Sequence, residues 1–452
     1  MIKKRYQVVI AGAGPSAIFA ALTLSKAGVK DVALFEKGKD IEERKRGRGM
    51  ELLCGWGGAG AFSDGKLTLS PKVGGFLSDF VPQVELTNLL RETDEIYLSF
   101  GAPKESFGRS SDKIEALYQE AKLAGLEFIP MEIRHLGTEN CAPLLKRIRN
   151  TLDGKLDVFF NTPVKKILVD DGKAAGVLLE DGTQVSASHV ICGPGRVGAE
   201  WIKNEVQRLG IPSVPSPVDI GVRVESSGSI LKKLTDIAYE AKFIYYSKTF
   251  DDKVRTFCMN PFGEVVTEAI DEIVTVNGHS YAKKRTENTN FAILVSSTFT
   301  EPFKDPIGYG KYIARLANLL GNGVIVQRLG DLLDGRRSTP ERIHRCITQP
   351  TLTSATPGDL SFVLPYRHLK DIIEMLEAMD RITPGLFSRH TLLYGVEVKF
   401  YTNRIKVSPA LETDIQNLFL IGDGAGITRG LMQASMSGIL AANEISKRTS
   451  KE

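Results

Sequence analysis

Net charge is nearly absent from this sequence. Its 58 Lys and Arg stand against 54 Asp and Glu, +4 over 452 residues, with no basic stripe interleaved with aromatics. Electrostatic capture of DNA or RNA is therefore not expected. Cysteine is also scarce. The five residues Cys54, Cys141, Cys192, Cys258 and Cys346 are odd in number and contain no Cys-x-x-Cys pair. They fit neither a disulfide framework, nor a zinc site, nor a dithiol redox centre, and a reducing cytoplasm is the expected compartment. Long apolar runs are missing too, since no stretch approaches the roughly 18 residues of a membrane span. The uncharged segment Val8 to Leu24 imitates a signal peptide, but Gly12, Gly14 and Pro15 interrupt it. It is expected to be retained.

What is present is an ordinary globular composition, 42% hydrophobic and 25% charged, with 43 Gly and 20 Pro. At roughly 100–200 residues per domain, the length suggests two or three domains. Tyr6 to Ala11 is apolar and β-branched, Ser16 to Ala27 is helical in composition, and Val32 to Phe35 is apolar again, which reads as a βαβ opening. Gly47 to Gly75 is too Gly-rich for regular structure, and helical periodicity returns at Val84–Phe100, Ser111–Ala124 and Thr138–Asn150. Four short β-type runs follow: Leu156–Phe160, Val164–Val169, Ala174–Leu179 and Val185–Cys192, with Asp171-Gly172 and Asp181-Gly182 at the bends. They predict an antiparallel meander. Pro212, Pro215 and Pro217 mark a boundary, and the chain to about Tyr401 mixes strands such as Phe291–Thr298 with helices such as Tyr309–Leu320 and Leu369–Ala378. Leu418–Ile421, a Gly-rich loop and a helix over Leu431–Ser446 close the chain.

The chemistry is carried by loops. Gly12-Ala13-Gly14-Pro15-Ser16-Ala17 follows a predicted strand and opens a helix, and Glu36 ends the next strand. Gly12 permits the tight turn, Gly14 lets the backbone approach a pyrophosphate, and the small Ala17 allows close helix–strand packing. The helix N-terminus offers N–H groups and positive dipole to the anion, and Glu36 would accept from a ribose diol. A dinucleotide site is the expectation, against a merely structural βαβ turn. Gly193-Pro194-Gly195-Arg196-Val197-Gly198 formally repeats the fingerprint. It reads either as the turn by which the meander rejoins the first sheet or as an NAD(P) site, and the Pro-rich stretch after it favours the first.

Asp423, within Ile421-Gly422-Asp423-Gly424-Ala425-Gly426, stands at the end of an apolar strand, where a carboxylate would bind ribityl hydroxyls or cap a helix. The helix from Gly430-Leu431-Met432 would direct its positive end to the pyrimidine side of a flavin. The N-terminal fingerprint, the meander and this loop together resemble the FAD-binding arrangement of glutathione-reductase-like flavoproteins. The likeness narrows with Glu36-Lys37-Gly38 before Glu43-Arg44, with Gly57-Gly58-Ala59-Gly60-Ala61-Phe62-Ser63-Asp64-Gly65-Lys66-Leu67, with Phe257-Cys258-Met259-Asn260-Pro261, with Val276-Asn277-Gly278, and with Tyr394-Gly395-Val396-Glu397. These segments resemble a family of bacterial and archaeal FAD-dependent dehydrogenases, and more distantly the geranylgeranyl-reductase group. The resemblance implies an α/β, Rossmann-like FAD-binding domain of the glutathione-reductase type over 1–200 and 400–452, with an inserted α+β substrate domain over 201–399. It also implies cofactor contacts at Gly12, Gly14, Pro15, Ser16, Ala17, Glu36, Lys37, Gly58, Ala59, Gly193, Gly422, Asp423, Gly430, Leu431 and Met432.

By the same resemblance, Val164 would pass the adenine or be a core residue. Arg44 would bind pyrophosphate or ribose oxygens, or belong to a solvated basic run reaching Arg48. Lys66 would hold the flavin's polar edge or a substrate anion. Catalytic candidates are Cys54, as a thiol or thiolate tuning the flavin, His279 and Tyr281 as a proton relay, and Glu397. Trp56 and Tyr401 are weighed beside them, each with a structural reading. Arg223 and Arg336-Arg337 would hold an anionic substrate or be surface charges. The expected activity is hydride transfer between a small-molecule substrate and non-covalent FAD, on the flavin face that the inserted domain covers. An electron carrier, a quinone-like acceptor or NAD(P)H would complete the cycle. A flavin monooxygenase and a non-redox, partner-binding or RNA-modifying role are the alternatives. Oligomeric state is not legible.

Overall fold

A computed structural model describes residues 2–44, 52–71, 73–109, 111–270, 272–281, 285–299 and 305–450. The chain forms two compact units, one of residues 1–104, 134–216 and 401–452, the other of 105–133 and 217–400. The sequence division, 1–200 with 400–452 against 201–399, differs at three places, the smallest being Phe400, which belongs to the second unit. Residues 201–216 join the first unit, and the segment 105–133 joins the second.

The first unit is built on a sheet whose parallel part runs, in spatial order, Asp157–Phe159, Val32–Phe35, Arg5–Ala11 and Gln184–Cys192. Val8, Val9, Ile10, Ala33 and Leu34 are fully buried, because a parallel strand covered on both faces has no solvent side. Val164–Asp170, Lys173–Leu179 and Gln184–Cys192 form the meander, antiparallel throughout. Asp171 and Gly172 take positive φ, 44° and 71°, as a tight Asp-Gly hairpin turn requires. The strand Gln184–Cys192 serves both parts: its first half pairs with the meander, and Val190 to Cys192 pair in parallel with Leu418–Leu420. The structure corrects one strand. The run expected to open the meander pairs in parallel with Val32–Phe35, where the Phe35 and Phe159 rings stack at 5.1 Å. A β-type run has no inherent partner; here Phe35 and Phe159 are register partners and their rings stack on the sheet edge.

The second unit holds an eight-stranded sheet in the order Thr356–Pro357, Ile325–Arg328, Leu392–Lys399, Val218–Ser227, Asn288–Ser297, Lys253–Asn260, Lys242–Tyr246 and Glu127–Ile129. Its first pair is parallel and the six that follow are antiparallel. Buried residues of Gly228–Ile237, Pro306–Gly321 and Tyr366–Asp380 share one core with this sheet. The expected α/β class with an α+β second unit is the architecture found. No helix among the described residues is long and apolar enough to cross a membrane.

Candidate functional site

In the first unit, the helix Pro15–Lys26 begins at Gly14 and the helix Leu431–Thr449 begins at Gly430. No side chain caps either N-terminus. A helix start leaves N–H groups without intrahelical partners, and here no Ser, Thr, Asp or Asn claims them. The two helices cross at Gly438, where an added Cβ would stand 1.9 Å from the Ser16 carbonyl oxygen. Both starts meet the Gly-rich loop at Gly60. A Cβ there would lie 2.9 Å from Leu431 Cδ2 and 3.4 Å from Pro15 Cγ. Two positive helix ends thus converge on one loop.

The glycines of the fingerprint divide by role. Gly12 has φ 105°, and a Cβ on it would meet the Gly193 carbonyl oxygen at 2.4 Å. Its constraint is internal to the fold. Gly14 has φ −76°, and a Cβ on it would find no atom within 4 Å, so the space above it is open. That is the position expected to face a pyrophosphate. Gly58 lies beside it, with Gly14 Cα 3.2 Å from where its Cβ would stand, and the Gly57 amide donates to the Ala13 carbonyl at 2.8 Å. Ala59 falls in the same short helical turn, Gly58–Phe62.

Glu36 is buried at the end of the second strand and accepts from three backbone amides. Ala13 N lies 2.8 Å from one oxygen, and Gly38 N and Gly55 N lie 2.7 and 3.0 Å from the other. A carboxylate has about four acceptor sites, so among the described residues one is left unclaimed. Val164 is half-buried, and the Thr162 amide just before it donates to the Glu36 carbonyl, which places the start of the meander at this end of the fingerprint. Arg44 is 9% exposed and donates to the carbonyls of Trp56, Gly58 and Leu52 at 2.5, 3.0 and 3.0 Å. Burial lowers its pKa to about 10, so it stays charged at neutral pH. It shapes the Gly-rich loop from within. Lys45 to Arg48, the rest of that basic run, lie outside the described residues.

Cys54 stands beside Lys37 and the Glu36 carboxylate, the ribose end of the fingerprint. Burial pushes its thiol up, with Glu36 adding to the effect and Lys37 opposing it. Of the two forms expected at Cys54, thiol and thiolate, burial favours the thiol. Lys66 is nearly buried and pairs with Asp64 at 3.1 Å. Trp56 is fully buried and donates to the Leu145 carbonyl at 3.0 Å, a core role.

At the other end of the site, Gly422 has φ 74° and its amide donates to Ser437 Oγ at 3.1 Å. Asp423 accepts from Thr428 Oγ1 at 2.6 Å. Burial raises its pKa, and Arg196, Thr428 and Arg429 act against that rise. Met432 is buried behind the helix start. Gln433, absent from the sequence-based candidates, ties the preceding loop down: it accepts from Leu77 N and donates to the carbonyls of Pro71 and Val73 at 3.3, 3.3 and 3.1 Å. A lone Gln within a helical run carries no pattern that distinguishes it.

The second fingerprint is resolved by its neighbours. The Gly193 amide donates to the Ala11 carbonyl, and the helix Ala199–Arg208 leads to Ser213–Val214, which pairs with Arg404–Ile405 in a separate two-stranded sheet. No second βαβ unit forms behind it among the described residues. It is the turn by which the strand Gln184–Cys192, already shared by the meander and the parallel sheet, passes into the helix Ala199–Arg208.

In the second unit the motif residues close on one another. Arg223 and Glu397 are both fully buried and bonded bidentately, with Nε and Nη2 each 2.8 Å from a carboxylate oxygen. The guanidinium also donates to the Cys258 carbonyl at 2.8 Å and to Asn290 and Asn277 at 3.2 Å each. Asn277 donates to Glu268 at 3.0 Å, and Lys399 lies 3.6 Å from Glu268 and 3.1 Å from Glu397. The result is a ring: Arg223, Asn277, Glu268, Lys399, Glu397. Glu397, expected as a catalytic candidate, is instead committed to two cations. Arg223, expected to hold an anionic substrate or lie at the surface, does neither. His279 ends the hairpin strand Ile273–His279 opposite Glu264, and Tyr281 follows it. Arg336 pairs with Asp331 and Asp334, and Arg337 is exposed.

Residues 217–400, the main segment of the second unit, match the family model described as FAD-dependent protein, C-terminal domain-like. A relative from Clostridium beijerinckii, described as an uncharacterized protein, is 28% identical over 474 residues and covers 97% of this chain and 80% of its own. Among solved structures, the quinol fumarate reductase of E. coli overlaps 100% of this chain and 71% of its own at 15% identity and a TM-score of 0.42. A geranylgeranyl bacteriochlorophyll reductase-like protein from Thermoplasma acidophilum overlaps 99% and 79% at 14% identity and a TM-score of 0.41. The resemblance to FAD-dependent proteins holds by sequence over residues 217–400. In the first unit, the open glycine, the two uncapped helix starts and the two carboxylates fit FAD.

Proposed function

We propose that this chain is an FAD-dependent oxidoreductase that holds FAD non-covalently in its first unit and exchanges hydride with a small-molecule substrate. The observation that carries this reading is the convergence of two uncapped helix N-termini on Gly60, each typically worth about 0.3–1 kcal/mol toward a negative charge. The amides at the start of Pro15–Lys26 would bind the pyrophosphate over Gly14. Glu36 would accept from the adenosine ribose and hold the Gly55 and Gly38 amides in place while doing so. Asp423, fixed by Thr428, would receive the ribityl hydroxyls. Arg44 holds the shape of the loop Leu52–Gly58 beside Gly14. FAD, when bound, supplies a two-electron acceptor that no side chain of the chain provides.

Reoxidation by an electron carrier or quinone-like acceptor, or reduction by NADH or NADPH, completes the cycle. The test is an anaerobic absorbance titration of the purified chain with NADH, NADPH and dithionite. A yellow protein bleached by either nucleotide is a reductase. A yellow protein bleached only by dithionite is a dehydrogenase serving a separate acceptor. A protein that stays colourless after incubation with FAD overturns the reading.

A further inference from the structure

Pro15, Gly57, Gly60 and Leu431, which gather where the two helix starts meet, also line a cavity. The rest of its wall is Ile18, Phe19, Leu136, Leu144 and Leu145, with Tyr97 and Cys141. It leaves about 20 Å³ in which the centre of a water-sized molecule can move, and about 10–15 Å³ by that measure is enough for one water. A water also needs two to four polar partners, and the polar groups of this wall are engaged elsewhere. The Tyr97 hydroxyl is bonded to Ser435 Oγ at 2.9 Å, and Cys141 Sγ lies 3.4 Å from the Gly137 carbonyl oxygen. The Gly57 amide donates to the Ala13 carbonyl at 2.8 Å and the Gly60 amide to the Gly57 carbonyl at 3.0 Å. Burial pushes the Tyr97 phenol above its usual range and the Cys141 thiol up to about 12, so both stay neutral. The remaining side chains are hydrocarbon. A water there would give up hydrogen bonds without replacing them, and the space suits an apolar molecule of similar size.

The cavity adjoins the cofactor site through residues common to both. Pro15 opens the helix that begins at Gly14, and Leu431 is the first residue of the last helix. A Cβ on Gly60 would stand 2.9 Å from Leu431 Cδ2 and 3.4 Å from Pro15 Cγ, so a glycine there lets loop and helix starts close on the same space. The walls are set by packing. The Phe19 and Tyr97 rings lie 4.8 Å apart, and Leu144, on the helix Thr138–Leu152, is buried. Dioxygen is an apolar molecule of this size that accepts electrons, and reduced FAD supplies two.

We propose that the cavity beside Gly60 is a dioxygen site, and that dioxygen held in it reoxidises reduced FAD in the first unit with release of hydrogen peroxide. Dioxygen is then an acceptor beyond the electron carrier or quinone-like acceptor named above, and the inference rests on the FAD reading. The step balances: dioxygen takes up two electrons and two protons, the π bond between its oxygens breaks, two O–H bonds form, and hydrogen peroxide leaves beside oxidised FAD. The wall residues hold the gas and exchange no electrons with it. Leu144 is a positioning residue that sets the size of the space.

The experiment uses the full chain incubated with FAD and has two readings. Xenon, an apolar probe that needs no reaction, is titrated and its binding followed by xenon NMR. Photoreduced protein is then mixed anaerobically with buffers of graded oxygen content, and the return of the visible flavin bands and the peroxide formed are recorded. The wild type is expected to bind xenon and to reoxidise at a rate that levels off as oxygen rises, with one peroxide formed per FAD. Leu144→Phe fills the space, so xenon binding is lost and reoxidation at low oxygen slows about tenfold, while FAD content is unchanged. Leu144→Ala enlarges the space, and both xenon binding and reoxidation at low oxygen rise. Should either variant fail to accumulate, the other carries the test, because the two move both readings in opposite directions. A wild type that binds no xenon, or a xenon signal unchanged by Leu144→Phe, overturns the site. Xenon bound, with the same reoxidation rate in wild type and variants, overturns the role of dioxygen. A chain that stays colourless with FAD overturns the FAD reading and the electron transfer with it, and its xenon binding still decides the cavity.

Discussion

The polar groups of the first unit and those of the second were drawn from equally pointed motifs, yet they end in opposite conditions. Around Gly14 and Gly430, helix amides have no side-chain cap, the space over Gly14 is open, and Glu36 retains an acceptor site. Around Arg223, all five guanidinium donors are spent, three on Glu397 and Asn277 of the closed ring and two on the Cys258 carbonyl and Asn290, and the pair with Glu397 has no exposed surface. An open set of donors is a place for a ligand. A closed set is a polar core, costly to desolvate and costlier to break. A motif shows that polar residues gather; only their partners show which condition they reach.

The comparison breaks most visibly at Arg223. Arg223→Met leaves Glu397 buried without its main partner and is expected to cost about 3–5 kcal/mol of stability. Chemical denaturation would register it. A double replacement, Arg223→Met with Glu397→Met, should recover much of that loss, and failure to do so would mean the ring is not the closed structural unit described.

The two fingerprint glycines give the next contrast. Gly12→Ala forces a side chain into positive φ and against the Gly193 carbonyl, a cost on the order of 2 kcal/mol. Gly14→Ala should change stability by less than about 0.5 kcal/mol, since φ is ordinary and no atom is near. Its effect should fall on FAD instead, weakening binding about tenfold or more by obstructing charge-assisted contacts. Thermal melts and FAD titration of both variants separate fold from ligand. Asp423→Ala is expected to resemble Gly14→Ala, with a folded protein and FAD affinity lowered about tenfold; full flavination would remove the ribityl role.

A smaller effect lies in the second unit at Asp371, buried beside Asp252 and Ser247, whose carboxyl is raised to about 6 by burial. A carboxyl raised above its unfolded value stabilises below that value and loses the contribution as pH climbs through the folded pKa. The wild type therefore loses stability from this group between about pH 4 and 6. His368, one turn away and lowered to about 4 by burial, acts oppositely over about pH 4 to 6.5, because the unfolded imidazole gains a proton first. Asp371→Asn should unmask the histidine slope. Its stability relative to wild type should grow by about 1–2 kcal/mol between about pH 4 and 7, read from urea midpoints at the two pH values.

Local pattern carried much of the fold. Gln184–Cys192, Lys173–Leu179 and Val164–Asp170 lie within a residue or so of their expected spans, because alternation and Asp-Gly turns are short-range signals. The helix Asp112–Leu123 was legible too, with Ser111 as its cap. Its membership of the second unit was not, since nothing in a helix's own period names the sheet it will pack on. The same division runs through the site. Gly12, Gly14, Glu36 and Asp423 were singled out as candidates by their places at the ends of apolar strands, whereas Gln433, the placement of Arg429 over Tyr401 and Phe76, and the burial of Glu397 depend on residues far apart along the chain.

By itself, the sequence determined the chemistry on offer: a glycine turn entering a helix, an acid after the second strand, an acid after the last, and little charge to spare. These follow from backbone sterics and hydrogen-bonding capacity, which act over a few residues. Tertiary structure alone decided which of those groups stayed open. Gly60 draws two helix starts together, Phe76 and Tyr401 clamp Arg429, and the strands bearing Arg223 and Glu397 lie side by side across a register shift, because burial and pairing satisfy polar groups across the fold rather than along the chain.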